Sequence, residues 1–227
     1  MPTNNLAAIL CLANSRKFSG HCIAGKEIRN GVIGPWIRPV SSRKTGELSD
    51  ADCSYSDGKI PALLDIMEVP LRKRQPDYYQ TENYLIDENN RWKFIRKASW
   101  RDILAALDTV TGALWSNGSD SSNGKNDRVP EPIAKKLDRS LYLIRPHGFS
   151  VQVSTEGGER KIRGNFTLNT IPYKCVVTDP IIEKQYLKQR DGIYTMSNAL
   201  LCISLGELYF GYAYKLVAAV LTPEKGA

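Results

Sequence analysis

Histidine is scarce in this chain: two in 227 residues, His21 and His147. Cysteine offers no ligand set either. Cys11, Cys22, Cys53, Cys175 and Cys202 are odd in number, and no two have CxxC spacing. That excludes the usual structural zinc arrangements, so no metal is expected. It also argues against a disulfide framework and for a reduced, cytoplasmic protein. Cysteines in apolar, strand-like runs act as small hydrophobes. No apolar run approaches the ~20 residues of a membrane helix, so no membrane partner is expected. Leu6–Ala13 is apolar but short and has no basic segment before it, so no export signal is expected. Walker, GxSxG, HExxH and Rossmann fingerprints are all missing, and no short-period repeat is visible. His21 and Cys22 are adjacent, and adjacent strand residues point to opposite faces, which makes a poor nucleophile–base pair. Asp65 and Glu68 fail as a carboxylate pair for the same reason. No cofactor is expected, and catalysis is the weaker reading.

What is present is positive charge. Lys and Arg number 31 against 24 Asp and Glu, a formal net charge of +7 and a pI of about 9.1. That leans toward an anionic partner such as nucleic acid. The excess is spread over both halves, so folding must assemble any basic face. The densest combination of features lies in the first forty or so residues. Ser15-Arg16-Lys17 reads as a polar turn after the first strand. Gly20, Gly25, Gly31 and Gly34 allow tight turns or close backbone approach, and Pro35 leads into Trp36-Ile37-Arg38-Pro39. Cations beside a large aromatic suit a polyanion or a planar ligand.

Further along, strands are expected at His21–Ile28, Trp36–Val40 and Ala62–Leu71. Ser41–Lys59 reads as a long loop. Asn83–Asp87 is expected to pair with Trp92–Ile95 across Glu88–Asn90. Ser99 with Asp102 caps a helix with Trp100, Ile103, Leu104 and Leu107 on one face. Ser116–Pro132, rich in Ser, Asn, Gly and Pro, reads as a flexible linker between domains 1–115 and 133–227. The second half restarts with Leu141–Ile144, and Phe149–Ser154 and Lys161–Leu168 alternate about a Gly157-Gly158 turn. Tyr173–Val177 follows. Asp179-Pro180 starts a short helix to Leu187. Ala199–Leu205 and Tyr209–Leu221 close the chain as strands turning at Gly206-Glu207, although 213–221 also fits a helix. The fold class is therefore mainly β: two small OB-like barrels, each with about one helix.

The chain resembles the bacterial dual OB-fold domain family. Four blocks carry the resemblance: Ser15-Arg16-Lys17 with Gly20–Gly25; Gly34-Pro35-Trp36-Ile37-Arg38-Pro39-Val40-Ser41; Val177-Thr178-Asp179-Pro180; and Leu201–Glu207 with Tyr214–Val220. It implies two OB-like domains and nucleic-acid binding, in the setting of bacterial conflict (antiviral defence) systems. It supplies no catalytic residues. On this reading Arg16, Lys17 and Arg38 meet phosphates, with Trp36 as a stacking platform. Arg72, Lys73 and Arg74 extend the track, and Lys161 and Arg163 share one strand face in the second half. The competing roles are structural: Trp36 in the core, Arg38 paired with Glu47, and Arg72–Arg74 as a charged edge. A protein-interaction scaffold that brings a partner enzyme to its target is the alternative function. An enzyme acting on nucleotides or nucleic acid is the third.

Overall fold

The structure, a computed structural model, describes residues 5–223. The chain divides into two compact units, one running to Ala106 and one spanning Leu107–Pro223. The first holds β1 (Asn5–Lys17), β2 (Gly20–Arg29), β3 (Val32–Val40), α1 (Asp50–Cys53), β4 (Asp65–Arg74), β5 (Asn83–Ile86), β6 (Lys93–Lys97) and α2 (Trp100–Ala105). Its strands run in the order β1-β2-β3-β5-β4, and β4 returns to β1, closing a five-stranded barrel with β6 added on β4. Within the barrel, β3 and β5 alone run parallel, from Arg38 opposite Asn83 to Val40 opposite Leu85.

Closure depends on β1 serving two neighbours. Its first half pairs with β4 and its second half with β2. The register slips between Cys11 and Ala13, and such a bulge bends a strand. Gly25 on β2 lies against this bend, where any Cβ would collide with the Leu10 carbonyl. Alternate residues then point inward, and Ile9, Cys11, Ile23, Ile37, Met67, Val69 and Ile86 form the core with Trp92.

The second unit holds β7 (Arg128–Pro130), α3 (Glu131–Ala134), β8 (Leu141–Ile144), β9 (His147–Glu156), β10 (Glu159–Leu168), β11 (Ile171–Val177), α4 (Pro180–Tyr186), β12 (Gly192–Thr195), β13 (Leu200–Tyr209) and β14 (Tyr212–Leu221). The sheet order is β12-β9-β10-β11-β14-β13-β8. β8 and β9 are separated by Arg145 and Pro146 alone, so they amount to one first strand broken where proline removes a donor. With that strand rejoined, the circuit repeats the first barrel, including a parallel contact of β11 with β14. Gly164 on β10 repeats the role of Gly25. A Cβ there would come within 2.8 Å of the Phe149 ring. Both units are OB-like, and the chain is mostly β.

Several expectations change in detail. Ser15-Arg16-Lys17 is strand, and the turn is Phe18-Ser19. β5 inserts between β3 and β4, while β6 pairs with β4 and not with β5. Gly206-Glu207 lies in a register shift between Leu205 and Leu208, so the hairpin turns at Phe210-Gly211. The segment 213–221 is strand throughout.

Ser116–Pro132 falls inside the second unit. β11 and β14 meet at two residue pairs, leaving a gap beside the first half of β11. β7 adds to β14, and Lys125 bridges Lys174 on β11, so the segment fills that gap. Its small polar residues tie it down. Asp120 accepts from the Asn126 N–H at 2.7 Å, Asp127 from the Ser121 N–H at 2.7 Å, and Asn126 donates to the Pro172 carbonyl at 2.8 Å. The composition that reads as flexible is the one suited to local side-chain-to-backbone bonds.

Candidate nucleic-acid interface

The Trp36–Arg38 block does not face outward as expected. β3 lies between β2 and β5, and Trp36 is opposite Lys26, whose Nζ lies 5.4 Å from the ring centroid. Trp36 is 9% exposed and Arg38 is 3% exposed. The parallel pairing with β5 brings acceptors to Arg38: its Nη2 lies 3.1 Å from Glu82, and its Nη1 donates to Asn83 at 3.3 Å. Glu47, the carboxylate expected there, instead accepts from the Thr45 hydroxyl. Arg38 is therefore an internal ion pair of the barrel. Removing one partner of such a pair costs about 3–5 kcal/mol.

Arg163 is likewise turned to acids. Nε and Nη2 donate to the two oxygens of Glu156 at 2.8 Å each, and Nη1 lies 3.8 Å from Asp127. The Glu156 hydrogen bonds raise the Arg163 pKa, and those of Arg163 lower that of Glu156. Lys161 pairs with Glu159 on its own strand. The gap-filling segment thus delivers Asp127 to Arg163. It also encloses Lys215, whose Nζ donates to the Ser116 carbonyl at 2.7 Å and lies 5.1 Å from the Tyr173 ring centroid. Burial lowers the Lys215 pKa to about 8.

Arg72, Lys73 and Arg74 are exposed at the end of β4. Lys73 and Arg74 pair with Leu85 and Tyr84 of β5, and a register shift leaves Arg72 as the extra residue between Leu71 and Lys73. All three line a groove of about 360 Å³ together with buried Ala7, Ile37 and Leu71 and exposed Leu6. Arg29, Glu27 and Tyr84 complete it. The Arg74 guanidinium lies 5.9 Å from the Tyr84 ring centroid and donates to the Thr81 carbonyl at 2.9 Å. Arg29 contacts Glu27 at 2.8 Å. Four cations and one carboxylate thus line the groove among apolar side chains. Arg16 and Lys17 sit at the far end of β1 from Leu6, about 30 Å along an extended strand, and do not join this groove.

Arg29 and Tyr84 were not legible as partners, because only barrel closure brings β2 and β5 to the end of β4. A second groove, of about 500 Å³, lies on the β9–β10–β11 side of the second unit. Lys125, His147, Ser150, Asn165, Thr167 and Lys174 line it. Sequence reading missed it too, because Lys125 arrives from the segment taken for a linker.

Among the described residues no three His, Cys, Asp or Glu side chains gather as a metal-binding group. His21 makes no bond to its neighbour Cys22: its Nδ1 lies 3.0 Å from Asn14 Oδ1 and its Nε2 2.9 Å from Asp50. No helix among the described residues is long and apolar enough to cross a membrane.

Comparison with protein families matches residues 7–220 to the model described as a dual OB-containing domain. No curated protein and no solved structure matches the chain.

Proposed function

The chain belongs to the dual OB-containing domain family, and from that premise we propose that it is a non-catalytic module that binds nucleic acid. The observation that carries this reading is the groove at the end of β4. Arg29, Arg72, Lys73 and Arg74 line it among apolar side chains, with Tyr84 near Arg74. Cations on a rim position a phosphate backbone, and each neutralised phosphate makes affinity fall with salt. The OB barrel is a frequent oligonucleotide-binding scaffold. A bacterial defence setting, in which the module brings a neighbouring enzyme to nucleic acid, is the role this reading gives it.

Fluorescence anisotropy with labelled oligonucleotides at about 50 and 200 mM salt tests the proposal. The combined variant Arg72→Ala, Lys73→Ala, Arg74→Ala is expected to bind more weakly at both, with a salt slope reduced by roughly 2–3. A slope identical to wild type sinks the groove as the phosphate site. A second reading, the interaction scaffold, is favoured by β6. This edge strand exposes Phe94 and Ile95, each at 44%, where a partner strand can add.

A further inference from the structure

Turn chemistry sets three side chains apart. Two-residue connections at Asn30-Gly31, Gly157-Gly158 and Asn169-Thr170 have positive φ at both positions, and five of these six residues are Asn or Gly. Asn and Gly are the residues that tolerate this backbone best. Three other tight turns break the pattern. Phe18 (φ 49°), Tyr78 (φ 46°) and Phe210 (φ 46°) each take the first central position, in Lys17–Gly20, Asp77–Gln80 and Tyr209–Tyr212. A bulky residue at positive φ is a strained outlier. The strain brings no core packing, since the three side chains are 65%, 64% and 81% exposed.

Each tip also has cations near it along the chain or on a neighbouring strand. Arg16 and Lys17 precede Phe18 on the same strand. Arg72–Arg74 lead into the loop that carries Tyr78. The Arg128 guanidinium lies 3.9 Å from the ring centroid of Tyr212, two residues after Phe210. Tyr78 and Phe210 moreover occupy the same connection, between the fourth and fifth strands of the circuit, in both units. An outward ring with a guanidinium or ammonium nearby in the fold or the chain matches one chemical unit, a flat base joined to a phosphate. In a duplex the faces of a base are covered by its stacked neighbours, so such a ring finds a partner where the strand is unpaired.

We propose that Phe18, Tyr78 and Phe210 are stacking platforms for unpaired bases, and that the ligand is single-stranded nucleic acid. The inference rests on the nucleic-acid reading above and makes it more specific. The test uses the full chain, an oligothymidylate of about 16 nucleotides and a blunt duplex of the same length. Phe18→Gly, Tyr78→Gly and Phe210→Asn each install a residue that the backbone prefers. The expected result is a thermal midpoint equal to or above wild type. Single-strand affinity falls about 5- to 150-fold per variant, the range one lost base stack gives. Unchanged single-strand affinity in all three variants overturns the inference and leaves nucleic-acid binding standing, as does duplex binding equal to single-strand binding. A wild-type chain that binds neither probe, or binds anionic phospholipid vesicles in their place, overturns both.

Discussion

At Lys215 the barrel encloses a cation whose pKa falls to about 8 from 10.5, chiefly through burial. Between those values the unfolded chain holds a proton that the folded chain has released, so this residue makes stability rise with pH from about 8 to 10.5. The effect is at most about 3 kcal/mol. Buried thiols act in the opposite sense. Burial pushes Cys53 and Cys175 up to about 12 from 9.0 and Cys11 higher still, so the folded chain keeps protons the unfolded chain loses above about 9. The wild-type profile is their sum, and Lys215→Met isolates the lysine. Urea denaturation across pH 7–11 is expected to show the variant without the rise; a difference from wild type that is constant with pH would refute it. Lys215 was not legible as a buried group, because its enclosure comes from Ser116, a distant part of the chain. Trp36 and Arg38 were misread for a related reason. A cation beside an aromatic looks the same in sequence whether it faces water or Glu82, and only the parallel β3–β5 contact decides.

The elements themselves were far more legible, since alternation and caps are local. The capping box at Ser99 and Asp102 forms as its spacing requires, and Arg96 helps hold the Asp102 carboxyl down to about 2. Its apolar face was overread: Ile103 is buried and Leu104 is exposed. Asp179 does more than the cap predicted. One oxygen accepts from the Ile181 and Ile182 N–H groups, and the other accepts from the Val220 N–H at 3.0 Å, fastening α4 to β14. Losing the cap and orphaning a buried N–H together cost about 2–4 kcal/mol. Asp179→Ala is expected to lower the unfolding free energy by that amount, with Asp179→Asn losing less because one acceptor remains. A loss in Asp179→Ala no larger than a surface cap gives would refute the link to β14. Strand partners were the illegible part of this scale, because β5 and β6 satisfy the same alternation whichever neighbour they choose.

The repeated circuit governs the scale of the whole molecule. Two OB-like units were legible from the many short strands, one helix start per half and the order of the four family blocks. The division after Ala106 was not, because low apolar content marks a gap-filling segment and a linker alike. A fragment of residues 107–223 is therefore expected to fold cooperatively. One beginning at residue 133 lacks Ser116, Asp127 and β7, and is expected to give poor amide dispersion by NMR. Equal dispersion in both would restore the linker. The circuit also bears on synthesis at the ribosome. β1 finds β4, and β8 finds β13, only after the intervening strands have emerged, and contacts so distant in sequence form late. Until then the nascent chain carries a hairpin whose first strand has one vacant side. Each barrel therefore passes through a stage open to wrong pairing, which ends only when its fifth strand, the one that inserts between the third and the fourth, leaves the tunnel.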